Sequence, residues 1–383
     1  MASIPDPSPL PGRMPRLDGL RALAILLVLF HQFDRTGDVS NPAALAIELV
    51  FERGWVGVQL FFVLSGFLIT GILRDTRGRQ GAYRDFLIGR TLRIFPLYFG
   101  TLAVLTVLLP ALGLVPADYP HHAIWYWLFV ANWTQDVVGG QLPHFWSLAV
   151  EEQFYLLWPL AALTLPTPRF LRLCGGVMVA ALLARLAMRI AGIRPETIYM
   201  ATFARMDALA AGAAVAAWMR TPGALEALRR RGREAWIAAG LLALAGFVAT
   251  HGYERDTFLG QVVGYEVLSL VFALLVLLVA SADAMGMGGW GTGWLRGKLL
   301  GRIGLYSFAM YVFHKPLHDL VGKPVLAYYG FPDKVPLAVD LIYTAFAMLA
   351  TFAAAALSWH LYERRFLALR ARRRRPQAGA PPG

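Results

Sequence analysis

The sequence is poor in charged residues and contains a single cysteine. Charged residues make up 16% of its 383 residues, whereas soluble domains carry about 25%. Hydrophobic residues make up 57%, and the mean hydropathy is +0.52. This composition excludes an ordinary soluble domain and predicts an all-α, polytopic membrane protein. With Cys174 alone, an intramolecular disulfide is excluded and a catalytic thiol has no support.

Apolar segments of nearly membrane length recur along the chain. About ten approach the ~20 residues needed to span a bilayer. The net charge of +12 comes mostly from arginines that flank these segments, so it does not indicate nucleic-acid binding. The loop 113–143 has no lysine or arginine. The positive-inside rule therefore predicts about ten transmembrane helices with both termini cytoplasmic, in a bacterial-type inner membrane. The segments lie near 17–34, 52–73, 92–112, 145–165, 171–191, 198–219, 235–250, 259–280, 303–322 and 337–359.

The two ends of the chain differ in composition from the rest. Residues 1–16 are rich in proline and are expected to form a cytoplasmic tail. Residues 367–383 are basic and then rich in small residues. Between them, residues 17–366 are predicted to form one transmembrane domain.

Two adjacent carboxylates interrupt the apolar segment 145–165. Glu151 and Glu152 are expensive to bury within a membrane. His144, Ser147 and Glu151 stand at i, i+3 and i+7, so they share one face of a helix. An imidazole, a hydroxyl and a carboxylate on one stripe can orient a base and position a hydroxyl substrate. The alternative is that the carboxylates only mark where the helix meets water.

His31 lies at the outer end of the first apolar segment. Histidine titrates in the range that suits a general base. The predicted orientation places His31 on the same side as His144 and Glu151. The alternative is an interfacial histidine that is satisfied by a backbone carbonyl. Ionisable groups from two segments on one side favour a site.

An arginine cluster lies on the predicted inner side. It consists of Arg84, Arg90 and Arg93. Arg90 and Arg93 share a helix face at the start of the third segment, and their forked guanidinium groups suit phosphate oxygens. The alternative is that they are ordinary positive-inside residues.

Further polar residues lie within other apolar segments. Arg205 and Asp207 are expected to form a buried pair. His314 stands two residues before Pro316 without an evident set of metal ligands, so no metal is expected. Ser65 is interpreted as a small residue that permits close helix packing. The candidate substrate-binding residues are Trp146, Ser147, Tyr155, Arg205, Asp207 and His314.

Taken in order, several blocks resemble membrane-bound acyltransferase family 3. No block is decisive alone, and the specificity lies in their joint order from Leu17 to about Phe366. The resemblance implies a ten-helix membrane domain that transfers acyl groups from acyl-CoA to hydroxyls, commonly those of sugars. The matching blocks are Leu17 to His31, Gly57 to Ile69, Arg90 to Tyr98, His144 to Pro159, Arg205 to Gly212, Gly304 to Pro316, and Glu363.

The resemblance also implies roles for particular residues. His31 is similar to the catalytic histidine of the family, and Arg21 to its partner in the same helix. Arg90 and Arg93 resemble the inner arginine motif associated with the acyl donor. Glu151 resembles the acidic residue of the Trp-Ser-Leu motif.

These observations predict an O-acyltransferase with acyl-CoA, preferably acetyl-CoA, as its donor. The expected acceptor is a hydroxyl of a carbohydrate, glycolipid or glycosylated metabolite, and the expected surroundings are membrane lipids. His31 is predicted to act as general base, with Glu151 or His144 orienting it. The rival is a proton-coupled secondary transporter, because intramembrane His, Glu and Arg also describe a proton relay. Such transporters often have two similar halves, and this sequence has no evident internal repeat.

Overall fold

The fold is described from a computed structural model that covers residues 14–34, 42–116, 119, 122–134, 142–286, 291–331 and 335–373. The predicted tails lie largely outside these ranges. Within the ranges, the regular elements are helices. The principal ones are α1 (Pro15–Phe33), α2 (Pro42–Glu52), α3 (Val56–Asp75), α4 (Ala82–Ala103), α5 (Trp146–Thr164), α6 (Thr167–Ile190), α7 (Pro195–Met200), α8 (Thr202–Trp218), α9 (Ala224–Ala249), α10 (Tyr265–Ala284), α11 (Lys298–Leu317) and α12 (Leu337–Ser358).

Each predicted apolar segment coincides with a helix, and the protein is a multi-pass membrane protein. Six helical stretches among the described residues are long and apolar enough to cross a membrane. Helices α1, α5, α8 and α11 fall outside this set, and they carry Arg21, Glu151, Arg205 and His314. The span count of ten and the side of the termini therefore stay predictions. The six stretches are Ala44–Asp75, Ala82–Ala111, Thr167–Ile190, Ala224–Ala249, Gly260–Ala284 and Leu337–Leu369.

Glycines bring the central helices into backbone contact. A Cβ atom added to Gly66 on α3 would overlap the carbonyl oxygen of Leu209 on α8. A Cβ atom added to Gly212 on α8 would overlap the carbonyl oxygen of Val63 on α3. Gly304 on α11 meets the backbone of α1 in the same way. Close approach of this kind is how helices pack in a membrane, where van der Waals contact replaces the hydrophobic effect.

A buried ionic network joins α3, α6, α8 and α10. Arg185 on α6 forms an ion pair with Asp207 at 3.0 Å and with Glu266 at 2.9 Å. Arg205 donates a hydrogen bond to the side-chain oxygen of Gln59. The predicted Arg205–Asp207 pair is therefore wrong, because residues at i and i+2 do not face each other on a helix.

Candidate active site

Two cavities lie at different depths along α1. The inner cavity has a volume of about 130 Å³ and is lined by Arg21. The outer cavity has a volume of about 220 Å³ and is lined by His31. His31 follows Arg21 by ten residue steps along the helix, a rise of ~15 Å. Val58 and Tyr311 line both cavities, so the layer between them is one side chain thick. The names inner and outer follow the predicted orientation.

The inner cavity holds a carboxylate with both oxygens hydrogen-bonded. Glu151 Oε1 accepts from the Ser65 hydroxyl at 2.6 Å. Glu151 Oε2 accepts from the Tyr155 hydroxyl at 2.7 Å. Ser65 is thus a site residue that the sequence reading assigned to packing. Ser65 and Glu151 are 86 residues apart in the sequence, so the pattern of a single segment could not have predicted this hydrogen bond.

Two arginines of the inner cavity form no close ion pair, although the charges of Asp18 and Glu151 act on Arg21, and that of Glu151 on Arg90, from farther away. Among the described residues, neither Arg21 nor Arg90 forms a hydrogen bond or an ion pair within 4.0 Å. The Arg90 guanidinium lies over the rings of Phe86 and Tyr155, at 5.6 Å and 5.4 Å. Unpaired cations in a low-dielectric cavity are costly. The cavity therefore suits an anionic ligand.

The third predicted arginine of the cluster borders the same cavity. Arg93 also lines the inner cavity, and its guanidinium lies 5.5 Å from the ring centre of Trp359. Three cations thus line the inner cavity together with one carboxylate, Glu151. Arg84 is exposed and does not line it. The predicted inner arginine cluster is therefore brought together only in part.

The geometry of His31 leaves one ring nitrogen free to act as a base. Its Nδ1 lies 3.1 Å from the carbonyl oxygen of Phe51. A carbonyl oxygen only accepts, so Nδ1 carries the proton and Nε2 is the basic nitrogen. The hydrogen bond to a backbone carbonyl was expected of a histidine without a catalytic role. Because it uses only Nδ1, it is also compatible with His31 acting as a base through Nε2.

His144 lies in the turn Pro143–Phe145 that precedes α5 and lines the outer cavity beside His31. Burial, and next the neighbouring His314, lower the pKa of His144 well below its usual range. The centres of the two rings are 4.7 Å apart. His144 is therefore expected to be neutral, and its ring can donate one hydrogen bond and accept another.

The predicted stripe on α5 is divided between the two cavities. His144 lines the outer cavity, whereas Ser147 and Glu151 line the inner one. The seven residue steps from His144 to Glu151 correspond to a helical rise of ~10 Å, and His144 lies in the turn before α5, so the two side chains lie at different depths. Glu151 consequently has no contact with His31 in the described structure, and the prediction that it orients His31 directly is not supported. Arg21 is separated from His31 in the same way.

Aromatic rings form one wall of the outer cavity. The Trp146 ring centre lies 4.7 Å from that of Tyr199, and Trp55 lies 6.1 Å from Tyr199. Trp146 was predicted to contact the substrate, and it does line the cavity. Behind this wall, the Arg205 guanidinium lies 4.9 Å from the Tyr199 ring centre.

Three predicted substrate-binding residues line neither cavity. Arg205 supports the aromatic wall from behind, and Asp207 belongs to the ionic network. His314 is buried, with its Nδ1 2.7 Å from the carbonyl oxygen of Tyr311. Direct contact with substrate is therefore not supported for these three. Tyr155 and Ser147, in contrast, line the inner cavity.

Several residues of the outer cavity were not predicted from the sequence. Charged and amide side chains near helix ends cannot be told from solvated surface residues in a single sequence. Only the folded chain shows that they converge on one space. The residues concerned are Gln32, Trp55, Glu196, Tyr199 and Arg255.

Comparison with known proteins gives one family for nearly the whole chain. A family profile described as an acyltransferase domain, that of acyltransferase family 3, matches residues 14–362. The peptidoglycan O-acetyltransferase OatA of Listeria monocytogenes is 25% identical over 333 residues, which cover 82% of this chain and 50% of that protein. The Bacillus subtilis protein YrhL, provisionally named a peptidoglycan O-acetyltransferase, is 28% identical over 347 residues, with the same two coverages.

The chain spans about half the length of these two curated relatives. A Staphylococcus aureus protein, provisionally named an O-acetyltransferase, is 32% identical over 164 residues, 40% of this chain and 25% of that protein. No solved structure matches the chain. The profile match covers most of the sequence, which confirms the resemblance read from its motifs. The chain belongs to acyltransferase family 3.

Proposed function

We propose that this protein is an integral membrane O-acyltransferase of the bacterial inner membrane. It moves an acyl group, preferably acetyl, from cytoplasmic acyl-CoA to a hydroxyl of a carbohydrate or glycosylated product. The observation that carries the proposal is the pair of unpaired guanidinium groups, Arg21 and Arg90, in an intramembrane cavity. The names of the relatives, O-acetyltransferases of peptidoglycan among them, support acetyl as the group and a glycan as the acceptor.

The donor binds from the inner side. Coenzyme A carries several phosphate charges and is confined to the cytoplasm. Its phosphates pair with the guanidinium groups of Arg90 and Arg93, which are suited to phosphate geometry. Exposed Arg84, near the start of α4, attracts the same anion at the entrance. The uncharged pantetheine arm then extends past Arg21 and through the layer formed by Val58 and Tyr311, and it brings the thioester to His31 while the phosphates stay on the inner side.

The acceptor hydroxyl reacts at the outer cavity. His31 Nε2 removes the hydroxyl proton while the oxygen attacks the carbonyl carbon of the acyl group. The carbon–sulfur bond breaks, and the CoA thiolate leaves and takes up a proton. His144, neutral and lining the same cavity, can hold the acceptor in place. A thioester is already activated, so these steps need no metal.

The test follows the release of free CoA from acetyl-CoA by the protein in lipid nanodiscs, with and without peptidoglycan fragments. His31→Asn is expected to abolish release that depends on the acceptor. The control is His251→Asn, since His251 is exposed in an outer loop with φ of 51°, a conformation that asparagine tolerates. Equal activity of the wild-type protein and the His31 variant would exclude His31 as the base.

The transporter alternative makes the opposite prediction for the donor. A proton-coupled exporter needs no CoA, so it would show neither saturable CoA binding nor thioester cleavage. The family assignment favours the acyltransferase. Absence of both CoA binding and thioester cleavage in wild-type protein would overturn the proposal.

A further inference from the structure

The outer cavity contains polar side chains that the reaction at His31 does not use. Gln32 and Glu196 both line it, and both are partly exposed. Among the described residues, neither forms a hydrogen bond or an ion pair. They are therefore available to a ligand, one as an uncharged amide and the other as a carboxylate.

The neighbouring arginine is already engaged. Arg255 lines the same cavity, but its guanidinium donates to both carboxylate oxygens of Asp256, at 2.9 Å and 2.7 Å. The same guanidinium lies 5.0 Å from the Tyr199 ring centre. Arg255 thus has an ionic partner in Asp256, although its positive charge also acts on His31. Glu196 is the charged residue of this cavity that forms no ion pair among the described residues.

The size and wall of the outer cavity suit one sugar ring. A cavity of about 150 Å³ holds a benzene molecule, so one of about 220 Å³ accommodates a single six-membered sugar ring. The rings of Trp55, Trp146 and Tyr199 offer an apolar surface to the C–H face of such a ring. The polar groups then meet the hydroxyls at its edge.

We propose that the outer cavity binds one neutral sugar ring of the acceptor, and that Glu196 sets this specificity. An ionised carboxylate only accepts hydrogen bonds, so it requires a donor, and hydroxyls flanking the reacting one supply it. A sugar that carries a carboxylate brings a like charge and is rejected. Gln32 follows His31 on α1 and offers both a donor and an acceptor to the same ring. This inference rests on the proposed function, since it assumes that the acceptor reacts at His31.

The test compares three acceptors with acetyl-CoA as donor: methyl β-glucoside, methyl N-acetyl-β-glucosaminide and methyl β-glucuronide. We expect the wild-type protein to acetylate both neutral glycosides, with kcat/KM at least about tenfold above that for the glucuronide. In Glu196→Gln, the neutral glycosides lose a hydrogen bond to a charged group, so their kcat/KM falls about tenfold or more. The value for the glucuronide rises, because the repulsion is gone. Misfolding cannot produce these opposite changes.

Two further variants isolate the effect of charge at this position. Glu254→Gln alters an exposed carboxylate that does not line the outer cavity, and it is expected to leave all three values unchanged. Gln32→Leu removes an uncharged hydrogen-bonding group, so it is expected to lower all three values without changing their ratio. Hydrolysis of acetyl-CoA without acceptor reports the donor end and should be unchanged in Glu254→Gln.

The outcomes separate this inference from the proposed function. If wild-type protein acetylates the neutral glycosides and Glu196→Gln keeps the wild-type ratio, Glu196 does not set specificity. If wild-type protein cleaves acetyl-CoA but prefers the glucuronide, or acetylates none of the three, the neutral sugar assignment is wrong. If it does not cleave acetyl-CoA at all, the proposed function itself fails.

Discussion

Two buried arginines of this protein should respond in opposite ways to the same substitution. Arg90 lines the inner cavity and forms no hydrogen bond or ion pair among the described residues. Arg185 is fully buried and pairs with Asp207 and Glu266. Both arginines lie in helical stretches that are long and apolar enough to cross a membrane, so replacement of each by glutamine is a matched experiment. One change should affect the binding of CoA, and the other should affect folding.

Arg90→Gln is expected to weaken CoA binding without destabilising the free protein. A hydrogen bond to a charged group contributes about 1.5–3 kcal/mol, which corresponds to a roughly 10- to 150-fold increase in the Kd for CoA. The substitution breaks no ion pair in the free protein and removes an unpaired charge from the membrane. Its melting temperature without CoA should therefore equal or exceed that of the wild-type protein.

Arg185→Gln is expected to do the reverse. It leaves the carboxylates of Asp207 and Glu266 buried without their cation, and breaking a buried ion pair in this way costs about 3–5 kcal/mol. The melting temperature should fall by several degrees, while the surviving folded protein keeps the wild-type Kd for CoA.

The measurements are thermal unfolding in detergent and isothermal titration with CoA at two salt concentrations. If Arg90 binds CoA electrostatically, raising the salt concentration should increase the Kd for CoA more in the wild-type protein than in Arg90→Gln. A wild-type Kd in Arg90→Gln would refute the donor assignment. A loss of melting temperature in Arg90→Gln as large as in Arg185→Gln would show that Arg90 is structural.

Three further predictions concern packing and the Glu151 cluster. Ser65→Ala removes one hydrogen bond to Glu151 and should slow acetyl-CoA cleavage about tenfold. The rate is measured as the release of free thiol. An unchanged rate would show that the hydrogen bond is not needed for cleavage. Gly66→Ala forces a Cβ atom into the backbone of α8 and should lower the free energy of unfolding by about 1–3 kcal/mol. Gly240→Ala is the control, because a Cβ atom there meets no other atom within 4 Å. Equal melting temperatures of the two variants would contradict this prediction. Tyr311→Ala opens the layer between the cavities and should raise acetyl-CoA hydrolysis without acceptor; no rise would mean that another group closes it.

The helices and the family could be predicted from the sequence because both depend on local patterns. Apolar runs mark the membrane helices, and the ordered motifs mark the family, which the profile match confirms. The composition signal fails at α1, α5, α8 and α11, which lie outside the set of evident spans. These helices carry several of the candidate ionisable residues, such as Arg21 and Glu151, whereas Arg90 and Arg93 lie on α4, which is in the set. Ionisable residues that belong to a site also lower the hydropathy of their segment, so the segment is harder to recognise as a membrane span.

The grouping of the site residues could not be predicted, because it depends on depth and on distant partners. Helical spacing predicted one face for His144 and Glu151, but His144 lies in the turn before α5, and the two residues line different cavities. Ser65 differs from a packing serine only through Glu151, which is far away in the sequence. Asp207 likewise pairs with Arg185 and not with the nearby arginine. Each of these facts belongs to the packing between helices.

The layer formed by Val58 and Tyr311 has an electrical consequence. Charged residues line the cavities on both sides of it, so in the proposed orientation much of the membrane potential would fall across this short distance. A neutral acetyl group would cross it without electrical work. Coenzyme A would face about 2.3 kcal/mol for each elementary charge per 100 mV. Under the proposed function, a wall one side chain thick would act as an insulator, through which the acetyl group changes sides while the charged phosphates of its carrier do not.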